Sequence, residues 1–182
     1  MMFAVAVMAT AAAIALPRVS SAVEDVRTSG AAHYLAGRLA QARVSAALRS
    51  ADTALRIAND ARGYVFAIYE DGNRNGVLTR DIQDGTDRIV GPPERLPEQF
   101  PGVEFGALPG TPGAEGGVAP GVDPIRLGAA DGVTFTPDGT ATPGSLYLKG
   151  KTGAQYVVRI YGESGRIRTL RYNAQTRTWL PR

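Results

Sequence analysis

The sequence has no cysteine and only one histidine among its 182 residues. The lack of cysteine excludes disulfide bonds, thiolate metal sites and a cysteine nucleophile. The single histidine, His33, lies in a stretch with helical spacing, where an exposed or interhelical position is more common than a catalytic one. Neither a Gly-x-Ser-x-Gly turn nor a phosphate-binding loop is present. The sequence therefore predicts a protein that is not an enzyme.

Charged side chains are also missing from residues 1–16, MMFAVAVMATAAAIAL. A transmembrane helix needs about 20 apolar residues, so this run is short for one. A cleaved signal peptide would place basic residues before the run and small residues after it; residues 20–22 are small, but no basic residue precedes the run. A buried core helix is disfavoured because helical spacing continues to about residue 49.

We interpret residues 1–17 as the membrane-embedded or filament-core part of a long helix, bent at Pro17. The residues expected to contact lipid or neighbouring helices are Phe3, Val5, Val7, Ile14, Leu16 and Pro17. Residues 18–52 are predicted to continue as an amphipathic helix on a globular domain, with apolar residues mostly three or four apart. These apolar residues are Val23, Val26, Leu35, Leu39, Ala42 and Ala46.

Residues 53–182 have the pattern of an antiparallel β domain, in which short apolar and β-branched runs are separated by turn residues. The predicted strands are 53–57, 64–70, 102–105, 125–127, 133–136, 145–149, 156–161, 167–172 and 178–180. A segment rich in glycine and proline, residues 107–124, is predicted to be an exposed loop. The predicted fold class is therefore α+β, a long N-terminal helix followed by an antiparallel sheet.

The apolar run resembles the N-terminal helix of type IV pilins and type II secretion pseudopilins. Its last residues, AAIALP at 12–17, match the usual ending of that helix. In the family, a Gly-Phe-Thr-Leu-x-Glu signal precedes the run, and a prepilin peptidase cleaves the signal and methylates the new N-terminus. Met1 stands just after the position of that glutamate, so the signal is missing and we expect an in-frame start upstream.

The second half of the chain is similar to minor pseudopilin H and the FimT-like group in GVTFTPDGTA at 132–141, GSLYL at 144–148 and GRIR at 165–168. The resemblance implies a pilin-like minor subunit that acts by filament assembly in a type II secretion or type IV pilus machine. It also implies a single-pass protein of the bacterial inner membrane with its C-terminal domain in the periplasm. The implied partners are other pseudopilins or pilins, with a secreted substrate or DNA as further alternatives.

A loop at residues 71–78, DGNRNGVL, has the alternating oxygen side chains of a calcium-binding loop, with glycine at the sixth position. The candidate ligands are Asp71, Asn73, Asn75 and Asp81. Ile82 occupies the twelfth position, where an acidic residue normally closes the site. A tight turn without metal is therefore favoured over a calcium site. Calcium is the one cofactor that the sequence suggests.

Basic residues with interleaved aromatics mark the C-terminal strands, and the candidate DNA-binding residues are Arg159, Arg166, Arg168 and Arg171. On a strand, Arg166 and Arg168 share a face, and Arg159 is expected across from them. The Gly165-Arg166-Ile167-Arg168 motif resembles the Gly-Arg-x-Arg sequence with which FimT-like minor pilins bind DNA during uptake. A solvated sheet face, or a surface that meets acidic partner subunits, is the favoured alternative.

Overall fold

The computed structural model describes residues 2–117, 119–127 and 132–181, with the backbone alone for residues 2–20. Its first element is one helix, α1, at Met2–Arg49. Pro17 lies inside this helix, and the helix ends three residues before the predicted end at residue 52. Ser50, with φ 52°, follows it. Within the described ranges, no helix combines the length and the apolar character that crossing a bilayer requires.

Among the described side chains of α1, which begin at Ser21, the buried ones are apolar only over the second half of the helix. Leu35, Leu39, Ala42 and Ala46 are fully buried, as predicted. Val23 and Val26 were predicted on the same stripe, but they are 50% and 72% exposed. The buried side chains at that end are the polar Glu24 and Thr28, because this part of the helix packs against the polar turn at residues 150–152.

The first sheet has the strand order β3-β2-β1-β6. Its strands are β1 (Thr53–Asp60), β2 (Gly63–Glu70), β3 (Arg88–Glu94) and β6 (Gly132–Phe135). β1 and β2 form a hairpin whose register runs to the pair Asp60 and Gly63, so its turn is shorter than the predicted polar turn at 59–63. Two short helices, α2 (Thr79–Asp84) and α3 (Leu96–Gln99), flank β3 in sequence, and neither was predicted.

The second sheet has the order β10-β9-β8-β7-β4, and β5 also pairs with β7. Its strands are β4 (Glu104–Phe105), β5 (Ile125–Arg126), β7 (Gly144–Lys149), β8 (Gln155–Ile160), β9 (Ile167–Asn173) and β10 (Thr178–Pro181). All the described strand pairings in both sheets are antiparallel. The predicted α+β class, a long helix followed by antiparallel sheet, is confirmed.

One main core joins α1 to both sheets. Leu35 and Leu39 of α1 belong to the same buried cluster as Phe66 of β2 and Leu146 and Tyr156 of the second sheet. Burying apolar surface stabilises the fold by roughly 25 cal/mol per Å², and here that surface lies between the helix and the sheets. The position of the domain along α1 is therefore determined by the second half of the helix.

A smaller cluster lies on the opposite face of the second sheet, and the segment rich in glycine and proline covers it. Tyr147, Val157 and Leu170 pack there with Ala114 of that segment. The indole Nε1 of Trp179 donates to the carbonyl oxygen of Pro112 at 3.0 Å. The prediction of an exposed loop is therefore wrong for this part of 107–124. Every second side chain along these strands faces away from α1. The apolar side chains on that face are buried by this segment instead of by the helix.

Candidate functional site

Two acidic residues near the start of the described side chains attach α1 to the second sheet. Asp25 Oδ1 accepts hydrogen bonds from the Tyr156 hydroxyl at 3.1 Å and from Arg171 Nε at 3.0 Å. Glu24 accepts a hydrogen bond from the backbone N–H of Thr152. A Cβ at Gly150 would lie 2.5 Å from Glu24 Oε1, so only glycine permits this approach. We call this set of contacts the Glu24–Asp25 attachment.

The structure brings three of the four predicted arginines together on the face of the second sheet that points away from α1. Arg159 of β8 pairs in register with Arg168 of β9, as expected. The guanidinium of Arg166 lies 4.8 Å from the ring centroid of Tyr161, and that of Arg159 lies 5.9 Å from it. We call Arg159, Arg166, Arg168 and Tyr161 the Tyr161 cluster.

Arg171 does not belong to this cluster. Successive residues of a strand point to opposite faces, so Arg171 lies on the face opposite to Arg168. There it pairs with Asp25 of α1, as part of the Glu24–Asp25 attachment. We therefore correct the predicted set of four arginines to three that share a surface and one that joins the helix to the sheet.

Glu115 binds to the Tyr161 cluster, and sequence analysis did not predict this contact. Glu115 lies in a single turn at Ala114–Gly116, with φ 50° and ψ 46°. Its Oε1 accepts from Arg168 Nη1 at 2.9 Å, and its Oε2 accepts from the Tyr161 hydroxyl. No sequence signal identified it, because a lone acid between glycines and prolines carries no spacing pattern. One of the cluster's positive charges is therefore paired within the chain.

The predicted calcium loop is organised around the buried carboxylate of Asp71. Asp71 Oδ1 accepts from the backbone N–H groups of Asn73 at 3.0 Å and Arg74 at 2.7 Å, and Oδ2 accepts from Gly76 at 2.7 Å. Charge-assisted hydrogen bonds of this kind are stronger than neutral ones. The Asp71 carboxylate therefore binds three backbone N–H groups of the turn.

Asp81 faces the same loop. Its Oδ2 accepts from the side-chain amides of Asn75 at 2.8 Å and Asn73 at 3.3 Å. The hydrogen bond from Asn75 lowers the pKa of the Asp81 carboxyl. Across the described ranges, no group of three or more histidine, cysteine or acidic side chains is placed to hold a metal ion. A calcium site here would have to use asparagine oxygens, and it stays a prediction.

Asp87 is the residue of this region that sequence analysis missed. It is only 2% exposed, and its two oxygens accept from the backbone N–H groups of Gly72 at 3.1 Å and Leu78 at 2.9 Å. Nearby, burial raises the pKa of the Asp52 carboxyl, and the negative charges of Asp71 and Asp138 raise it further. The loop is thus built from acidic groups that mostly bind backbone.

Comparison with protein families matches residues 31–165 to the family described as Type II transport protein GspH. That range covers well over half of the chain. The chain belongs to the GspH family. Neither a curated protein nor a solved structure was found to match it.

The GspH match supports the resemblance to type II secretion minor pseudopilins, which are structural subunits rather than enzymes. It begins at Ala31, where the buried apolar face of α1 begins, and it ends at Gly165, just before Arg166. Arg159 and Glu115 lie inside the matched range, and Arg166 and Arg168 lie outside it.

His33 is exposed, and its Nδ1 lies 2.8 Å from the carbonyl oxygen of Ser29.

Proposed function

We propose that this GspH-family chain is a minor pseudopilin that acts by assembling into the filament of a type II secretion machine. The observation that carries the proposal is the continuity of α1. One helix, Met2–Arg49, joins the apolar run at its start to a second half whose Leu35 and Leu39 are buried in the core. A helix of this kind can hold a folded domain at a fixed distance from a membrane or from a filament axis.

In the proposal, the apolar run anchors the chain in the bacterial inner membrane, with the sheets on the periplasmic side. Sixteen apolar residues are short of the roughly 20 that a lone span requires. Packing against the helices of neighbouring pseudopilins replaces lipid contact and relaxes this requirement. The expected partners are therefore other pseudopilins, and the sheets provide the outward surface.

The test of assembly is secretion in a strain that lacks the gene. Replacing Ile14 with aspartate puts a charge in the apolar run, at a cost of about 3 kcal/mol in a membrane helix, and should reduce secretion at least tenfold. Crosslinking to other pseudopilins should fall in parallel. The control is Leu48→Asp, because Leu48 lies on the same helix but is 81% exposed, and it should secrete normally. Normal secretion by Ile14→Asp would remove the proposal.

DNA binding for natural transformation is the second candidate function, and the arginines of the Tyr161 cluster favour it. Arg159, Arg166 and Arg168 share one face, as a phosphate-binding surface requires. The double substitution Arg166→Ala, Arg168→Ala should then weaken DNA retention about tenfold at low salt, and less at high salt. The control is Arg74→Ala, Arg88→Ala, which removes two exposed arginines elsewhere on the domain. Equal retention by both double variants would exclude this function.

A further inference from the structure

Glu115 occupies the Tyr161 cluster as a ligand occupies a binding site. Its two carboxylate oxygens are bound separately, Oε1 by Arg168 Nη1 at 2.9 Å and Oε2 by the Tyr161 hydroxyl. The donors on Arg168 and Tyr161 thus converge on the two oxygens of one planar carboxylate. The side chains of Arg168 and Glu115 are 35% and 31% exposed, so a ligand from solution can reach the pair.

The turn that carries Glu115 lies between an attached part of its segment and a glycine in open space. Before it, the backbone N–H of Ala114 donates to the Tyr147 hydroxyl at 3.1 Å, and Pro112 accepts from Trp179. After it, Gly116 has φ 76°, and a Cβ there would meet nothing within 4 Å. Glu115 itself has φ 50°, in the left-handed region that is unfavourable for a residue with a side chain. Release of Glu115 would relieve that unfavourable conformation.

Moving this turn would also uncover the guanidinium of Arg159. Among the described residues, its buried Nε has no hydrogen-bond partner, although Nη1 of the same side chain donates to Ser145 Oγ at 2.9 Å. Gly117 lies over this guanidinium, since a Cβ at Gly117 would be 3.4 Å from Arg159 Nη1. A displaced turn would therefore uncover a further donor group, the Arg159 guanidinium, in addition to Arg168 and Tyr161.

The Arg166 guanidinium lies 4.8 Å from the centroid of the Tyr161 ring, so it competes with a nucleic-acid base for stacking on that ring. The Arg168 and Tyr161 donors converge on the two oxygens of one planar carboxylate. This geometry favours the carboxylate of an acidic protein segment over a nucleic acid.

We infer that the Tyr161 cluster is a recognition site for a carboxylate side chain of an acidic segment of a partner protein, and that Glu115 occupies this site until the partner displaces it. The inference goes beyond the filament proposal, because the isolated chain can bind a partner carboxylate at this site without assembling into a filament. It concerns the same arginines as the DNA candidate and assigns them a different ligand. The apparent affinity for the partner equals the intrinsic affinity multiplied by the fraction of molecules in which Glu115 has left the site.

The experiment measures binding of a labelled hexaglutamate peptide and of a single-stranded DNA dodecamer to the full chain in non-ionic detergent. Glu115→Ala should bind the peptide at least fivefold more tightly than the unchanged chain, because the competing carboxylate is gone. Glu115→Gln, which keeps the size of the side chain, should move in the same direction. The double variant Glu115→Ala, Arg168→Ala should lose the gain. Glu163→Ala removes an acid of equal charge with no contact to the cluster, and its affinity should stay within twofold.

Three results would overturn the inference: no gain for either Glu115 variant, a gain equal to that of Glu163→Ala, or a gain for the DNA dodecamer at least as large as for the peptide. The third result would assign the site to nucleic acid. Because binding is measured on the purified chain, failure here leaves the secretion result for Ile14→Asp unaffected. Failure of the secretion test likewise leaves the peptide result standing.

Discussion

Replacing Leu39 with alanine is expected to lower the free energy of unfolding by about 3 kcal/mol. Leu39 is fully buried where α1 packs on both sheets, so its removal leaves a cavity that the neighbouring strands cannot fill. Chemical denaturation of the full chain in non-ionic detergent measures this effect. The fluorescence of Trp179, the only tryptophan, reports unfolding of the second sheet.

Leu48→Ala is the matched control for Leu39→Ala. It makes the same chemical change on the same helix, but Leu48 is 81% exposed. We expect its effect to stay below about 0.5 kcal/mol, as for surface substitutions in general. If the two variants lost similar amounts of stability, the second half of α1 would not be the part of the helix that is bound to the domain.

Asp71→Ala is expected to cost about 2 kcal/mol, because it removes the acceptor of three backbone N–H groups at once. Asp71 is 8% exposed, so water cannot easily replace its carboxylate. The same denaturation measurement, made without calcium, tests this prediction. The control is Asp84→Ala, since Asp84 is exposed and accepts only one backbone N–H, from Thr86 at 2.9 Å. We expect the control to lose less than about 0.5 kcal/mol.

Repeating this measurement with calcium at about 1 mM, near the affinity of weak extracellular sites, tests the predicted metal site. A bound ion stabilises the folded state by mass action. A calcium site would therefore raise the stability of the unchanged chain and leave Asp71→Ala unaffected. Equal stability of the unchanged chain with and without the ion would show that the loop is a turn held by its own hydrogen bonds, without calcium.

The second half of α1 was predictable because its buried residues are apolar and recur with helical period. The first described part was not, because Glu24 and Thr28 are buried there through polar contacts to residues 150–152. Such burial depends on a turn more than a hundred residues away, and no local pattern encodes it. Val23 and Val26 are the opposite case. Their apolar side chains predicted burial, but both residues are exposed in the structure.

The strands were predicted where β-branched and apolar residues are dense, as in β7 and β8. β3 was missed because it contains Gly91, Pro92 and Pro93, which interrupt a strand pattern. Proline is tolerated in this strand because β3 lies at the edge of its sheet. The division into two sheets was also not predictable, since strand patterns do not show which strands pair.

The candidate site was predictable only in part. The positive charges at Arg159, Arg166 and Arg168 follow from the sequence and from the alternation of side chains along a strand. The pairing of Arg171 with Asp25 does not, because it requires the position of α1 on the sheet. Glu115 reaches the cluster only because the segment rich in glycine and proline folds over the second sheet.

The Glu24–Asp25 attachment has a mechanical consequence. It ties α1 to β8 and β9 through side chains on one face of the second sheet, while the Tyr161 cluster lies on the other face of the same two strands. These contacts couple a rotation of α1 to a rotation of β8 and β9. A rotation of α1 about its axis would rotate the Tyr161 cluster with it. The orientation of the N-terminal part of α1 therefore determines the direction in which that surface faces.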